Sequence, residues 1–217
     1  MLLPRFYPIL DTETAARHGI RPESAALEMV AAGVRILQLR HKGFWSRETV
    51  DLLQRIGAIC RDAGALFVVN DRADLARLMG AALHLGQDDL RPSEVRSIVG
   101  ATTPIGLSTH NEAQLRAAAD EPADYLALGP IFGTASKQNP DPIVRVDGLR
   151  RLRPLSNRPL VAIGGITRAN AIEVFDAGAD SAAVIGDLFP NVRARCQEWI
   201  ALTNAAPLPQ AQSRMRP

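Results

Sequence analysis

A series of short polar clusters, each following an apolar run, holds the residue types that could do chemistry in this chain. Gln38, Arg40 and Lys42 alternate in QLRHK, and Asn70 and Asp71 close the run LFVVND. Asp89 closes HLGQDD, and Ser108 lies in GLSTH. Two carboxylates beside basic side chains suit a hard divalent cation, because Mg²⁺ takes one or two carboxylates and leaves its other positions to phosphate oxygens and water. Either aspartate alone would read as a helix N-cap; the pair beside Arg40 and Lys42 favours metal. Ser108 is suited to donate to a phosphate or leaving-group oxygen, or to make a local turn or cap. Gly164-Gly165 and Gly186 follow later apolar runs, where glycine lets backbone N–H groups approach a phosphate. His84 and His110 lack metal-ligand spacing and read as packed, hydrogen-bonded histidines. No serine or histidine arrangement for nucleophilic catalysis accompanies them. Of 25 basic residues only Lys42 and Lys137 are lysine, the first in QLRHK and the second in the loop GPIFGTASK.

The elements that must position these groups repeat one unit: an amphipathic helical stretch, Ala-Gly, then a short apolar run. It appears in EMVAAGVRILQLR, ICRDAGALFVVND and VFDAGADSAAVIG. Gly33, Gly64 and Gly178 suit the position just past a helix, where φ is often positive. Strands are predicted near 5–10, 34–40, 65–70, 82–85, 103–107, 124–128, 159–163 and 181–185, with helices between and a last helix near 190–203. Alternation of short apolar runs with helical patterns implies parallel strands joined by right-handed crossovers. Eight such units predict one (β/α)₈ TIM barrel over residues 1–203; an open doubly wound sheet is the alternative. In a barrel of this type the active site lies at the C-terminal strand ends. Side chains alternate along a strand, so Gln38 and Arg40 (and Lys42, if the strand extends that far) share the inward face. The stretch from Gly129 to Lys137 is longer than a plain connection and predicts a substrate-covering loop. The tail, 204–217, has Pro and Gln without periodicity and is expected to be disordered.

Composition narrows the function classes. The chain has 217 residues, 47% hydrophobic and 22% charged, and a net charge of +2 spread along its length. No basic tract follows a nucleic-acid backbone, and no apolar stretch nears the roughly 20 residues that span a bilayer. The opening MLLPRFYPIL lacks the pattern of a secretory signal and reads as a first strand. Cys60 and Cys196, far apart and without a CxxC, read as buried free thiols. The expected setting is the cytoplasm, with small molecules and neither nucleic acid nor membrane as partners. The oligomeric state is left open.

The blocks QLRHK (38–42), ND (70–71), HLGQDD (84–89), GLSTH (106–110), DYLALGPIFGTASK (124–137) and AIGGIT (162–167), in this order, resemble the thiamine phosphate synthase family over roughly residues 5–190. The resemblance implies a transferase that joins hydroxymethylpyrimidine diphosphate to a thiazole phosphate and releases diphosphate. It implies that Gln38, Leu39, Arg40, His41, Lys42, Asn70, Ser108 and Lys137 hold the pyrimidine diphosphate. By the same resemblance Asp71 and Asp89 hold Mg²⁺, while Thr134, Ala135, Ser136, Gly165, Ile185 and Gly186 hold the thiazole phosphate. Arg40, Lys42, Ser108 and Lys137 would carry catalysis by stabilising the leaving diphosphate, and the thiazole nitrogen, with its own lone pair, needs no general base. Two positions depart from the pattern, with Ser136 where a second threonine is common and Gly186 where a serine is common. Asp187 is expected to turn away from any phosphate or to cap the last helix. The alternatives are a thiazole tautomerase-like relative and a non-catalytic phosphate-binding or regulatory barrel. The former typically has histidine where Pro130 stands and lacks the metal aspartates. An unrelated isomerase or aldolase would need a base or a Schiff-base lysine, which neither Lys42 nor Lys137 is placed to supply.

Overall fold

In a computed structural model that describes residues 2–134 and 141–205, eight parallel strands close in sequence order into a barrel. They are β1 (Phe6–Asp11), β2 (Ile36–Arg40), β3 (Leu66–Asn70), β4 (Ala82–Leu85), β5 (Ile105–Thr109), β6 (Tyr125–Leu128), β7 (Leu160–Ile163) and β8 (Ser181–Val184). Between β1 and β2 lie α1 (Thr12–Arg17) and α2 (Pro22–Ala31). The following crossovers carry α3 (Arg47–Asp62), α4 (Ala73–Met79), α5 (Pro92–Val99), α6 (Glu112–Ala117), α7 (Arg145–Leu152) and α8 (Ala171–Asp176). The outer ring ends with α9 (Val192–Ala205). Local chemistry sets the helix starts: Ser46 and Asn111 side chains cap α3 and α6, and Pro22 and Pro92 open α2 and α5.

The two faces of the barrel wall follow from alternation along each strand. Outward residues such as Leu37, Leu39, Val69, Leu83, Leu126 and Val184 join the large core shared with the helices. Inward residues form a second, smaller cluster of Tyr7, Ile9, Ile36, Val68, Ala82, Tyr125, Ala127, Val161 and Ala183. The same parity carries Asp11, Gln38, Arg40, Asn70, His84 and Ser108 to the upper interior. Register keeps them level, with Ile9 opposite Gln38, Asn70 opposite His84, and His84 opposite Gly106.

Gly33, Gly64 and Gly178 take the expected positive φ, at 98°, 66° and 99°. Cys60 and Cys196 are free and buried, and burial pushes both thiols up to about 12. Some boundaries differ from the sequence expectation. The strand expected over 103–107 begins only after Pro104, which cannot donate to the ladder, and runs to Thr109, so Ser108 is a strand residue. The first strand includes Asp11, one residue beyond expectation. The last helix reaches Ala205, with Trp199 and Thr203 still buried along it; residues 206–217, the rest of the expected tail, lie outside the described residues. No helix among the described residues is long and apolar enough to cross a membrane.

Candidate active site

Strand ends 1 to 5 gather one polar half of the mouth. Arg40 Nη1 donates to Asp11 Oδ2 at 2.5 Å, a pair whose side chains are 17% and 3% exposed. The Asp11 carboxylate also accepts from Thr14 N at 2.8 Å and Thr14 Oγ1 at 2.7 Å, capping α1. The guanidinium is therefore held by a buried carboxylate that sequence reasoning missed. Alternation through Tyr7 and Ile9, extended one residue, would have placed Asp11 inside. β2 stops at Arg40, so Lys42 is not a third inward strand residue. It lies in the next loop, half exposed, and its Nζ donates to Asp71 at 2.5 Å.

Asp71 sits in the left-handed backbone region, at φ 65°, while its N–H donates to the His84 carbonyl at 2.8 Å. Aspartate tolerates that conformation better than most residues, although glycine does so more readily. Asp89 accepts from Gly86 N at 2.7 Å. Burial, and then the close Asp71 carboxylate, raise the Asp89 carboxyl above the ordinary aspartate range. Two carboxylates this close fit a divalent cation as donors. Among the described residues no group of three or more His, Cys, Asp or Glu that could hold a metal ion forms, so a cation here would have to take its other positions from phosphate oxygens and water. Beside them Asn70 Nδ2 is buried without a hydrogen-bond partner among the described residues. An orphaned donor costs about 1–3 kcal/mol and marks a place for a ligand acceptor.

Below this layer runs a connected set of polar side chains. Gln38 Nε2 lies 2.9 Å from Tyr7 Oη, which lies 2.8 Å from Tyr125 Oη. Tyr125 Oη is 3.0 Å from His84 Nδ1, and His84 Nε2 is 2.9 Å from Ser108 Oγ. Burial lowers His84 to about 4, so the imidazole is neutral at pH 7. Burial also raises both tyrosines above their ordinary value. His84 and His110 are hydrogen-bonded packed residues; His110 Nδ1 lies 2.6 Å from the Gly129 carbonyl. Leu39 is fully buried on the helix side, leaving only its main chain available to a ligand. His41 sits on the rim, bonded to Thr12 Oγ1 at 2.8 Å with its ring edge against Trp45.

The second half lies over strand ends 6 to 8. Beyond the last ladder residues, Ile131 N donates to the Ile163 carbonyl at 2.9 Å and Phe132 N to the Gly164 carbonyl at 3.0 Å. This clasp brings the two loops so close that a Cβ on Gly165, at φ +65°, would fall 2.4 Å from the Gly133 carbonyl oxygen. Gly165 thus lies beside the segment that leads into Thr134, while Ala135, Ser136 and Lys137 lie outside the described residues. Pro130 packs on Gly164, placing no titratable side chain where the tautomerase-like alternative has histidine. Ile185 and Gly186 follow β8, and a Cβ built on Gly186 meets nothing within 4 Å. Asp187 turns away, accepting from Trp199 Nε1 at 2.9 Å and pairing with Arg168 Nε at 3.1 Å.

The geometry is that of a barrel mouth with an acidic and cationic half beside a glycine-lined half. A family model described as thiamine monophosphate synthase matches residues 6–188. The chain is 46% identical over 209 residues to the thiamine-phosphate synthase of Koribacter versatilis (strain Ellin345), covering 94% of this chain and 97% of the relative. It is 43% identical over 178 residues to that of Methanoculleus marisnigri (strain ATCC 35101 / DSM 1498 / JR1), covering 82% and 84%. Among solved structures it is similar to a thiamine phosphate pyrophosphorylase from Pyrococcus furiosus, with TM-score 0.82, 28% identity, and coverage of 92% and 95%.

Proposed function

The chain belongs to the thiamine monophosphate synthase family, a transferase activity, and we propose that the two halves of its mouth divide that reaction between two phosphorylated substrates. The half built by strand ends 2 to 5, together with Lys137, takes hydroxymethylpyrimidine diphosphate. The half over strand ends 6 to 8 takes the thiazole phosphate. The bond from the pyrimidine methylene carbon to the diphosphate oxygen breaks with its electron pair going to diphosphate. The thiazole nitrogen lone pair then forms the new carbon–nitrogen bond.

Asp71 and Asp89 would hold Mg²⁺, which supplies neutralisation of charge on the leaving diphosphate. Arg40, held in place by Asp11, offers guanidinium N–H groups to the same oxygens, and Lys42 and Lys137 add ammonium charge. Ser108 offers a hydroxyl, and Asn70 Nδ2 gains the acceptor that it otherwise lacks. His41 and the Leu39 main chain line the approach. Because the attacking nitrogen carries no proton, the neutral, buried His84 is not needed as a base. On the other side, backbone groups of Gly165, Ile185 and Gly186 and the segment Thr134, Ala135 and Ser136 bind the monophosphate. Asp187, tied to Arg168 and Trp199, keeps its charge away from it.

The observation that supports this reading is the closeness of the Asp71 and Asp89 carboxylates, with Lys42 paired to Asp71. Mixing protein with both substrates should give thiamine phosphate in the presence of Mg²⁺ and little without it. No product with the metal present would overturn the proposal.

The glycine-lined half carries its own test. The space around Gly186 admits a Cβ without displacing a neighbour. Gly186→Ser should lower KM for the thiazole phosphate by about tenfold, the low end of what one added hydrogen bond to a charged group is worth. KM for the pyrimidine diphosphate should hold steady. An unchanged thiazole phosphate KM would take Gly186 out of the monophosphate site.

A further inference from the structure

The buried links from Gln38 to Ser108 carry more information than their distances. An amide nitrogen only donates, a hydroxyl has one proton to give, and a neutral imidazole donates from one nitrogen and accepts at the other. With Gln38 Nε2 donating to Tyr7 Oη, among the described residues the Tyr7 proton has only Tyr125 Oη to go to. The Tyr125 proton then goes to His84 Nδ1. That places the imidazole proton on Nε2, which donates to Ser108 Oγ and leaves the Ser108 proton free. In the opposite polarity the Ser108 proton would be spent on His84, and only lone pairs would face the mouth.

We infer that Gln38, Tyr7, Tyr125 and His84 form a hydrogen-bond chain of one direction that fixes Ser108 as a donor into the mouth, with Tyr125 and His84 as positioning residues for the reaction. The inference rests on the reading of Ser108 as a contact to the leaving diphosphate. An anion there selects the same polarity as the Gln38 amide does from the other end. The fold makes room for this chain specifically. A Cβ on Gly106 would fall 2.1 Å from Tyr125 Cζ and 2.4 Å from its Oη, so the glycine of GLSTH is the notch in which the Tyr125 ring lies. Tyr125 stacks on His84, with centroids 5.6 Å apart, and meets Tyr7 edge-on at 6.0 Å. A satisfied buried network of this kind is rigid, because any break leaves a polar group unpaired.

The two ends of the Gln38 amide are alike in shape, so the His84 tautomer is the observable that reports the polarity. Nitrogen NMR of the full chain labelled at histidine, at neutral pH and without substrates, should show His84 protonated at Nε2. Tyr7→Phe should keep that tautomer, because Tyr125 then has His84 Nδ1 as its remaining acceptor. The kinetic partner of this measurement is a double-mutant cycle. Tyr125→Phe should lower kcat about tenfold, the scale of one hydrogen bond, with a smaller change in KM, yet have no further effect on kcat in a Ser108→Ala background. A purely packing role would lower kcat in both backgrounds. An Nδ1-protonated wild type, or independent effects of the two substitutions, would overturn the inference. The wild-type tautomer needs no substrate, so its failure is distinguishable from failure to make thiamine phosphate, and it stands even if Tyr125→Phe does not fold.

Discussion

Arg40→Met should both unfold more readily and turn over at least about 10²-fold more slowly. The stability loss comes from Asp11, whose side chain is 3% exposed and would lose its guanidinium partner. Breaking a buried pair by removing one member typically costs about 3–5 kcal/mol, more than the pair contributes relative to an apolar replacement. The turnover loss comes from removing a preorganised donor to the leaving diphosphate, worth about 10²–10³ in comparable sites. The two effects separate in a second variant. Asp11→Asn combined with Arg40→Met removes the stranded carboxyl while an amide oxygen still accepts from Thr14 N to cap α1. The double variant should regain most of the lost stability in urea unfolding and none of the lost turnover. If Arg40→Met alone matches wild type in unfolding, the Asp11 pair does not have this role.

Asp89→Asn should lower Mg²⁺-dependent turnover by about 10²-fold while raising the melting temperature of the metal-free protein. Folding raises the Asp89 carboxyl above its ordinary value of 3.8, chiefly through burial and then through Asp71. Below that ordinary value the group is protonated in both folded and unfolded chains and carries no penalty. As pH rises past it the unfolded chain ionises first, and the penalty on the folded state grows until the folded carboxyl ionises as well. The variant has no such group, so its advantage in melting temperature should be absent at the acid end and complete at neutral pH. The amide oxygen still accepts from Gly86 N, so the loop needs no rearrangement. Added Mg²⁺ should stabilise wild type and leave the variant nearly unmoved. Equal stabilisation of both by Mg²⁺, or unchanged turnover, would remove Asp89 from the metal site.

What could be read from the sequence divides along physical lines. The barrel was legible because its signal is periodic: a repeated helix, Ala-Gly and apolar run needs no knowledge of distant contacts. Gln38 and Arg40 were legible because polar residues at alternate positions of an apolar strand have few places to point. Asp11 was not, because a single acidic residue before Thr-Glu-Thr carries a helix-cap signal that masks an inward strand end. The Tyr7–Tyr125 link was hidden more deeply. Both tyrosines sit in runs that look like ordinary strand core, and their hydroxyls meet across 118 residues of chain. Nothing local in FYPILD or DYLALG distinguishes a tyrosine that needs its hydroxyl from one that only fills space. Ala135, Ser136 and Lys137 remain sequence-level assignments, because they lie outside the described residues.

The left-handed backbone of Asp71 has a consequence for how such a chain would drift under selection. Glycine relieves the strain at that position, and asparagine tolerates it about as well as aspartate without bringing a second carboxylate up to Asp89. A library screened for heat resistance alone would therefore be drawn to lose its acidic residue there. The barrel would survive that history in sturdier form, and the proposed metal site would lose one of its two carboxylates. On the proposed metal role of Asp71, only a screen that also scores product formation holds it in place.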